Sequence, residues 1–185
     1  MKPTVSFSAI GTTAQLTLAD ERMAGEAEIL MRRRLREIDR AASRFRADSE
    51  ISLVQAMGGP RRVSATLSGV VHTALAAARD TAGCVDPTAR AGVRGAWRSV
   101  DLDPHRRVLS VPEGVEIDVG ATGKALMADR IAREVHRATA TPVLVNLGGD
   151  VACAGAHGWD IGIADDHKAS VADEVVHVRG GGIAT

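Results

Sequence analysis

The sequence predicts an α+β fold with mixed sheets and three main helices, and three observations carry that reading. Strand-like alternation marks both ends of the chain. Three stretches carry a helical period. Strands and helices do not alternate regularly, as a doubly wound parallel sheet would require. All 185 residues read as one domain, long enough to bury a sizeable core.

Residues 4 to 18 alternate apolar and polar, with Ala14, Leu16 and Leu18 on one face, and Gly11 divides two strand-like halves. Asp20 has the character of an N-cap for a helix running to about Phe45. Ala27, Met31, Leu35, Ile38, Ala42 and Phe45 form its apolar stripe, and Arg32-Arg33-Arg34 falls partly opposite as a solvated face. RADSEIS reads as a polar loop and GGPRR as a turn. The next helix is expected from Thr66 to Thr81, stopped by Gly83. CVDPTARAGVRGAW has no clear period and reads as loop. Strand pieces follow around Trp97–Leu102 and Arg107–Val111, joined by a DPHR turn. EIDVGATGKALMADRIAREV, residues 116 to 135, then supplies a strand, a glycine loop and the third helix, which ends before Thr141-Pro142. PVLVNLGGDVACAG, GWDIGIAD and EVVHVR complete the strands.

Composition narrows the function classes. Hydrophobic residues make up 45% and charged residues 25%, with a formal net charge of +0, so no global field draws the chain to nucleic acid or anionic membrane. With two Phe, two Trp and no Tyr, it lacks base-stacking platforms, and its core must be aliphatic. Cys84 and Cys153 lie far apart and form no metal-ligand spacing, which fits a reducing compartment and leaves a single disulfide open. No apolar run approaches the ~20 residues of a membrane span. A soluble, cytoplasmic protein is the expectation.

The chemistry-bearing motifs are individually modest. Asp118, Gly120, Gly123 and Lys124 sit at a loop-to-helix junction, a general anion site. The phosphate-loop pattern fails there, because it needs Gly at 118 and Ser or Thr at 125 where the chain has Asp118 and Ala125. The pattern GxGxxG fails as well. A lysine in the first helical turn opposes the macrodipole, so a negative partner would account for it. NLGGD, Asn146 to Asp150, allows close backbone approach to a ligand or forms a β-bulge. VDPT, Val85 to Thr88, sets Asp86 before a proline-stiffened turn and also reads as an Asx turn.

Taken in order, IGTTAQLTL, RFRADSEIS, VDPT, EIDVGATGKALMADRIA and VNLGGDVACAGAHGWDIGIAD resemble the ApbE family of Mg-dependent FAD:protein FMN transferases. The resemblance covers essentially the whole chain and implies an ApbE-like, T-fold-related architecture. It implies attachment of FMN from FAD, through a phosphoester, to a threonine of an acceptor flavoprotein, with release of AMP. FAD-binding without transfer is the alternative. By the resemblance, Asp118 and Lys124 contact FAD and the carbonyl of Ala121 touches magnesium. Ile10 stands where Met is common, Phe45 where a flavin-adjacent Tyr is common, and Cys84, Val85 and Asp86 line the nucleotide. FAD and the acceptor are the expected partners, with no nucleic acid. Family members continue beyond the point matching Thr185, and RGGGIAT resembles the start of their A-T-S-G segment. The remaining magnesium ligands and the base are expected beyond it. The chain is therefore expected to be either a fragment or a shortened relative.

Overall fold

A computed structural model describes residues 4–89, 92, 94–164 and 173–184. In chain order the elements begin with β1 (Thr4–Ala9), β2 (Thr12–Leu18), α1 (Ala24–Ala42), α2 (Glu50–Met57), β3 (Arg61–Arg62), α3 (Ala65–Asp80) and β4 (Asp101–Asp103). They continue with β5 (Val108–Ser110), α4 (Gly120–Thr139), β6 (Val143–Leu147), β7 (Asp150–Ala154), β8 (Trp159–Ile163), β9 (Glu174–Val178) and β10 (Gly181–Ile183). The fold is α+β with antiparallel pairing between the described strands. The chain divides into two compact units, Met1–Arg32 with Met127–Thr185, and Arg33–Leu126.

The first unit is organised by a five-stranded sheet in the order β1-β2-β6-β7-β10. The alternation read from residues 4 to 18 becomes the β1–β2 hairpin. Its inward face is set by register: Ala14 stands opposite Leu147, Leu16 opposite Val145 and Leu18 opposite Val143. All six side chains are fully buried, so a slip of one residue would turn the whole row to solvent. Ala27 and Met31 of α1, with Met127, Ala128, Ile131, Ala132 and Val135 of α4, are the other buried apolar residues that helices contribute to this unit. The core is aliphatic, as the scarcity of aromatics requires. A separate ribbon, β8–β9, places Trp159 opposite Val178.

The second unit combines α2, α3, the start of α4 and the small sheet β3-β5-β4. Each helix start has a chemical reason. Ser64 caps α3 by accepting the Leu67 N–H at 3.1 Å, and Glu50 accepts both the Ser64 N–H at 2.6 Å and its hydroxyl at 2.5 Å. Ser49 caps α2 by accepting the Ser52 N–H at 3.3 Å.

Four differences from expectation have physical causes. RADSEIS does not stay a loop; its Ser49 cap starts α2, whose eight residues are too short to show a helical period over the usual window. With α2, the described residues hold four α-helices rather than three. The first helix is preceded by a 3-10 turn, Glu21–Met23, which Asp20 caps, and it ends at Ala42. Phe45 therefore lies beyond the stripe and is 78% exposed, while Ala41 takes the buried position expected of Ala42. Residues 96 to 99 form a 3-10 turn, so the strand expected around Trp97–Leu102 shortens to β4, and EVVHVR is not the last strand, because β10 follows it and pairs with β7.

Helix α3 closes with a Schellman arrangement: the Gly83 N–H reaches the Ala78 carbonyl at 2.7 Å and the Ala82 N–H the Arg79 carbonyl at 3.1 Å. The left-handed residue is Ala82, at φ 52°. An L-residue in that region costs about 1–2 kcal/mol, partly offset by the lower unfolded-state entropy of alanine. Ala82→Gly is expected to stabilise the protein by about 0.5–1 kcal/mol; an unchanged or lower denaturation midpoint would contradict the strain.

Candidate functional site

At the start of α4, Asp118 is held from three sides. Its N–H donates to the Pro87 carbonyl at 2.7 Å, its Oδ1 accepts the Gly120 N–H at 2.8 Å, and its Oδ2 lies 3.0 Å from Arg44 Nε. The Val119 carbonyl accepts the N–H groups of Thr122 and Gly123, so Val119 is the capping position and Asp118 the residue before it. Gly123 is packed rather than conformationally special; a Cβ there would lie 3.5 Å from Val119 and 4.0 Å from Ile38. Lys124 is the fifth residue of α4 and half-buried. It opens the second turn, not the first, where the dipole penalty has already weakened.

The Pro87 bond ties this helix start to the loop carrying Cys84, Val85 and Asp86. Cys84 is an exposed free thiol, and the Val85 N–H donates to Thr81 Oγ1 at 3.0 Å. Cys153 is likewise free, and buried, so the disulfide left open is not formed. Asp86 makes the Asx turn: Oδ1 accepts the Thr88 N–H at 2.8 Å and the Thr88 hydroxyl at 2.6 Å, and Oδ2 accepts the Gly95 N–H at 2.7 Å. Burial works against its ionisation, but the hydrogen bonds from Thr88 and Gly95, helped by Arg94, outweigh it and hold the carboxyl below its ordinary 3.8. The second unit thus brings together Asp118, Ala121, Lys124, the Cys84–Asp86 loop and, through Arg44, Phe45. The Arg44 guanidinium lies 3.8 Å above the centroid of the Phe45 ring.

Ile10 belongs to the first unit, where two hairpin turns stand side by side. Ile10 and Gly11 form the β1–β2 turn with φ of 45° and 75°, and Gly148 and Gly149 form the β6–β7 turn with φ of 63° and 98°. Both turns need positive φ twice, the geometry that matches strand twist. A β-branched residue is an outlier there, so Ile10 stores backbone strain of about 1–3 kcal/mol. The turns touch: the Gly148 N–H donates to the Thr13 carbonyl at 3.1 Å, and a Cβ on Gly148 would stand 2.0 Å from Thr12 Oγ1. Gly149 N–H donates to Asn146 Oδ1 at 2.9 Å, and Asn146 Nδ2 to Gln15 at 3.1 Å. An open depression of ≈550 Å³ is lined by Ser8, Ala9, Ile10, Gly11, Thr12 and Thr13.

A family profile described as the ApbE family matches residues 10–101 and 91–185. The chain belongs to the ApbE family. Solved structures share its fold. The ApbE protein of Thermotoga maritima superposes with a TM-score of 0.85 at 18% identity, over 98% of this chain and 69% of that one. The flavin transferase ApbE of Vibrio cholerae, in a mutant form, gives 0.79 at 18% identity, over 97% of this chain and 70% of that one. The flavinyl transferase ApbE of Pseudomonas stutzeri, in its apo form, gives 0.71 at 16% identity, over 88% and 65%. This chain therefore spans 65% to 70% of the length of these three relatives. No curated protein matches it. No helix among the described residues is long and apolar enough to cross a membrane.

The magnesium expected at Ala121 finds few ligands here. Ala121 is exposed at the second position of α4 and brings no side-chain oxygen. Next to it, Thr122 Oγ1 is buried without a hydrogen-bond partner among the described residues. No group of three or more His, Cys, Asp or Glu among those residues could hold a metal. A carbonyl and a hydroxyl fall short of the oxygen set magnesium takes, so the described residues do not complete its site, and the chemistry below is not routed through the metal. Sequence reasoning missed Arg44 and the Thr12–Gly148 contact. Both are long-range pairings for which a single sequence carries no periodic signal.

Two substitutions test this geometry. Gly148→Ala combines a left-handed φ with a clash against Thr12 and is expected to destabilise by roughly 3 kcal/mol or more, read by chemical denaturation; a loss below 1 kcal/mol would refute the close approach. For Asp86, the lowered carboxyl contributes stability that is complete above its unfolded pKa and disappears as pH falls through the folded value. Asp86→Asn is expected to cost roughly 1–3 kcal/mol at neutral pH, and the gap to wild type should close below the ordinary carboxylate range. A gap independent of pH would show that the carboxylate charge is not what organises the loop.

Proposed function

We propose that this chain is the FAD-binding part of an FAD:protein FMN transferase, acting on FAD and on a threonine of an acceptor flavoprotein and releasing AMP. The observation that carries the reading is the start of α4. There one hydrogen-bonded cluster joins Asp118 to the Cys84–Asp86 loop and, through Arg44, to Phe45. Those are the segments in which the family resemblance puts FAD contacts. The relatives described as flavin and flavinyl transferases support the same class of ligand.

The chemistry asked of such a site is phosphoryl transfer to an alcohol. The threonine oxygen forms a bond to the phosphorus of the FMN half, the bond to the AMP oxygen breaks, and a base takes the hydroxyl proton. In this reading Asp118 accepts a hydroxyl or amine of the nucleotide, while Lys124 and the positive end of the α4 dipole balance the diphosphate charge. Phe45 offers an exposed aromatic face to the flavin.

One observation favours FAD-binding without transfer as the second reading: the described residues complete no metal site. Titrating the chain with FAD, with and without magnesium, and then assaying FMN transfer to a threonine-bearing acceptor separates the two. Binding with transfer supports the first reading and binding alone the second. A folded chain that FAD neither binds nor stabilises would sink both, since a ligand selective for the native state must raise its Tm. Lys124→Ala is expected to weaken FAD binding roughly tenfold, the effect of losing one charge-assisted contact.

A further inference from the structure

We propose that Arg44 is a positioning residue for the nucleotide at the start of α4, acting through Asp118. The inference rests on the flavin-site reading above and adds a residue that the family resemblance does not assign.

Arg44 is the side chain that joins two expected ligand contacts far apart in sequence. Its Nε lies 3.0 Å from Asp118 Oδ2 and its guanidinium 3.8 Å above the Phe45 ring. The terminal torsion of an aspartate is broad and roughly two-fold, so one hydrogen bond leaves the carboxylate plane loosely set. Here the Gly120 N–H holds Oδ1 and Arg44 holds Oδ2, and the two attachments together fix that plane. The backbone cannot drift either, because the Asp118 N–H is bound to Pro87. Stacking on Phe45 orients the guanidinium in turn, which a flexible ammonium would not allow as well.

The consequence concerns direction. Arg44 and Asp118 retain 33% and 31% side-chain exposure, so the pair remains partly accessible from solvent. A nucleotide hydroxyl or amine reaching Asp118 meets lone pairs already aimed, and less ordering is left to be done on binding. An ion pair this exposed contributes little to folding itself, which makes ligand affinity the better place to look for its effect. The arrangement also allows an opposite behaviour, in which Arg44 simply covers Asp118 and Phe45 and must be displaced.

The test is a double-mutant cycle on FAD affinity, with Tm recorded for every variant to establish folding. Arg44→Ala is expected to raise Kd about fivefold. Arg44→Lys, which keeps the charge but loses the planar stacked guanidinium, should fall between wild type and Arg44→Ala. In an Asp118→Ala background, Arg44→Ala should change Kd no further, because its route to the ligand is gone. Additive effects would overturn the proposal, as would an Arg44→Lys chain as weak as Arg44→Ala. Tighter binding by Arg44→Ala would establish the covering role instead. Failure of the folded wild-type chain to bind FAD overturns the flavin-site reading and this inference with it, an outcome distinct from normal wild-type binding with an additive cycle.

Discussion

The anchoring of Asp118 decides where α4 begins, and much else follows from that position. With its N–H on Pro87 and its carboxylate shared between Gly120 and Arg44, the residue before the helix has no conformational freedom left. The first turn of α4 is thereby aimed, and Met127, Ile131 and Val135 come inward further along the same helix, at the spacing an α-helix imposes. A start displaced by one residue would rotate that apolar row by about 100° and expose it. The cap and the buried row therefore specify the same register from opposite ends of the helix.

The five-stranded sheet solves a similar problem with backbone geometry. Its two tight hairpins each require two consecutive residues at positive φ, and three of the four are glycine. The exception, Ile10, is the residue least suited to that conformation, and it lines the depression at the hairpin. The fully buried rows of β2 and β6 impose the register that keeps the strained turn in place. Such strain persists only where surrounding order holds it.

Charge pairing along the chain is local rather than global. A chain of formal net charge +0 builds no long-range field, and its arginines pair close to home, Arg32 with Glu28, Arg34 with Glu37 and Arg46 with Asp39 and Asp48. These surface pairs contribute at most about 1 kcal/mol each. Arg44 differs in reaching a carboxylate 74 positions away, from Arg44 to Asp118, at a helix start that carries expected ligand contacts.

The hydrophobic period determined the long elements by itself: the β1–β2 hairpin, α1, α3 and α4 all stand within a few residues of where the sequence puts them, because each buries one face and its pattern must repeat. Ordered motifs also determined the family. Where packing or capping outweighs pattern, the sequence alone was silent. Two turns of α2 hang on the Ser49 cap, β10 joins an edge by pairing with β7, and Phe45 leaves its stripe because α1 stops at Ala42. The site divides along the same line. Asp118 and Lys124 stood out in adjacent residues, whereas Gly148–Gly149, read as a close approach or a β-bulge, is a hairpin turn. Only the tertiary structure joined Asp118 to Pro87 and Arg44, and Gly148 to Thr12, because such pairings arise from chain folding back on itself and leave no period in the sequence to read.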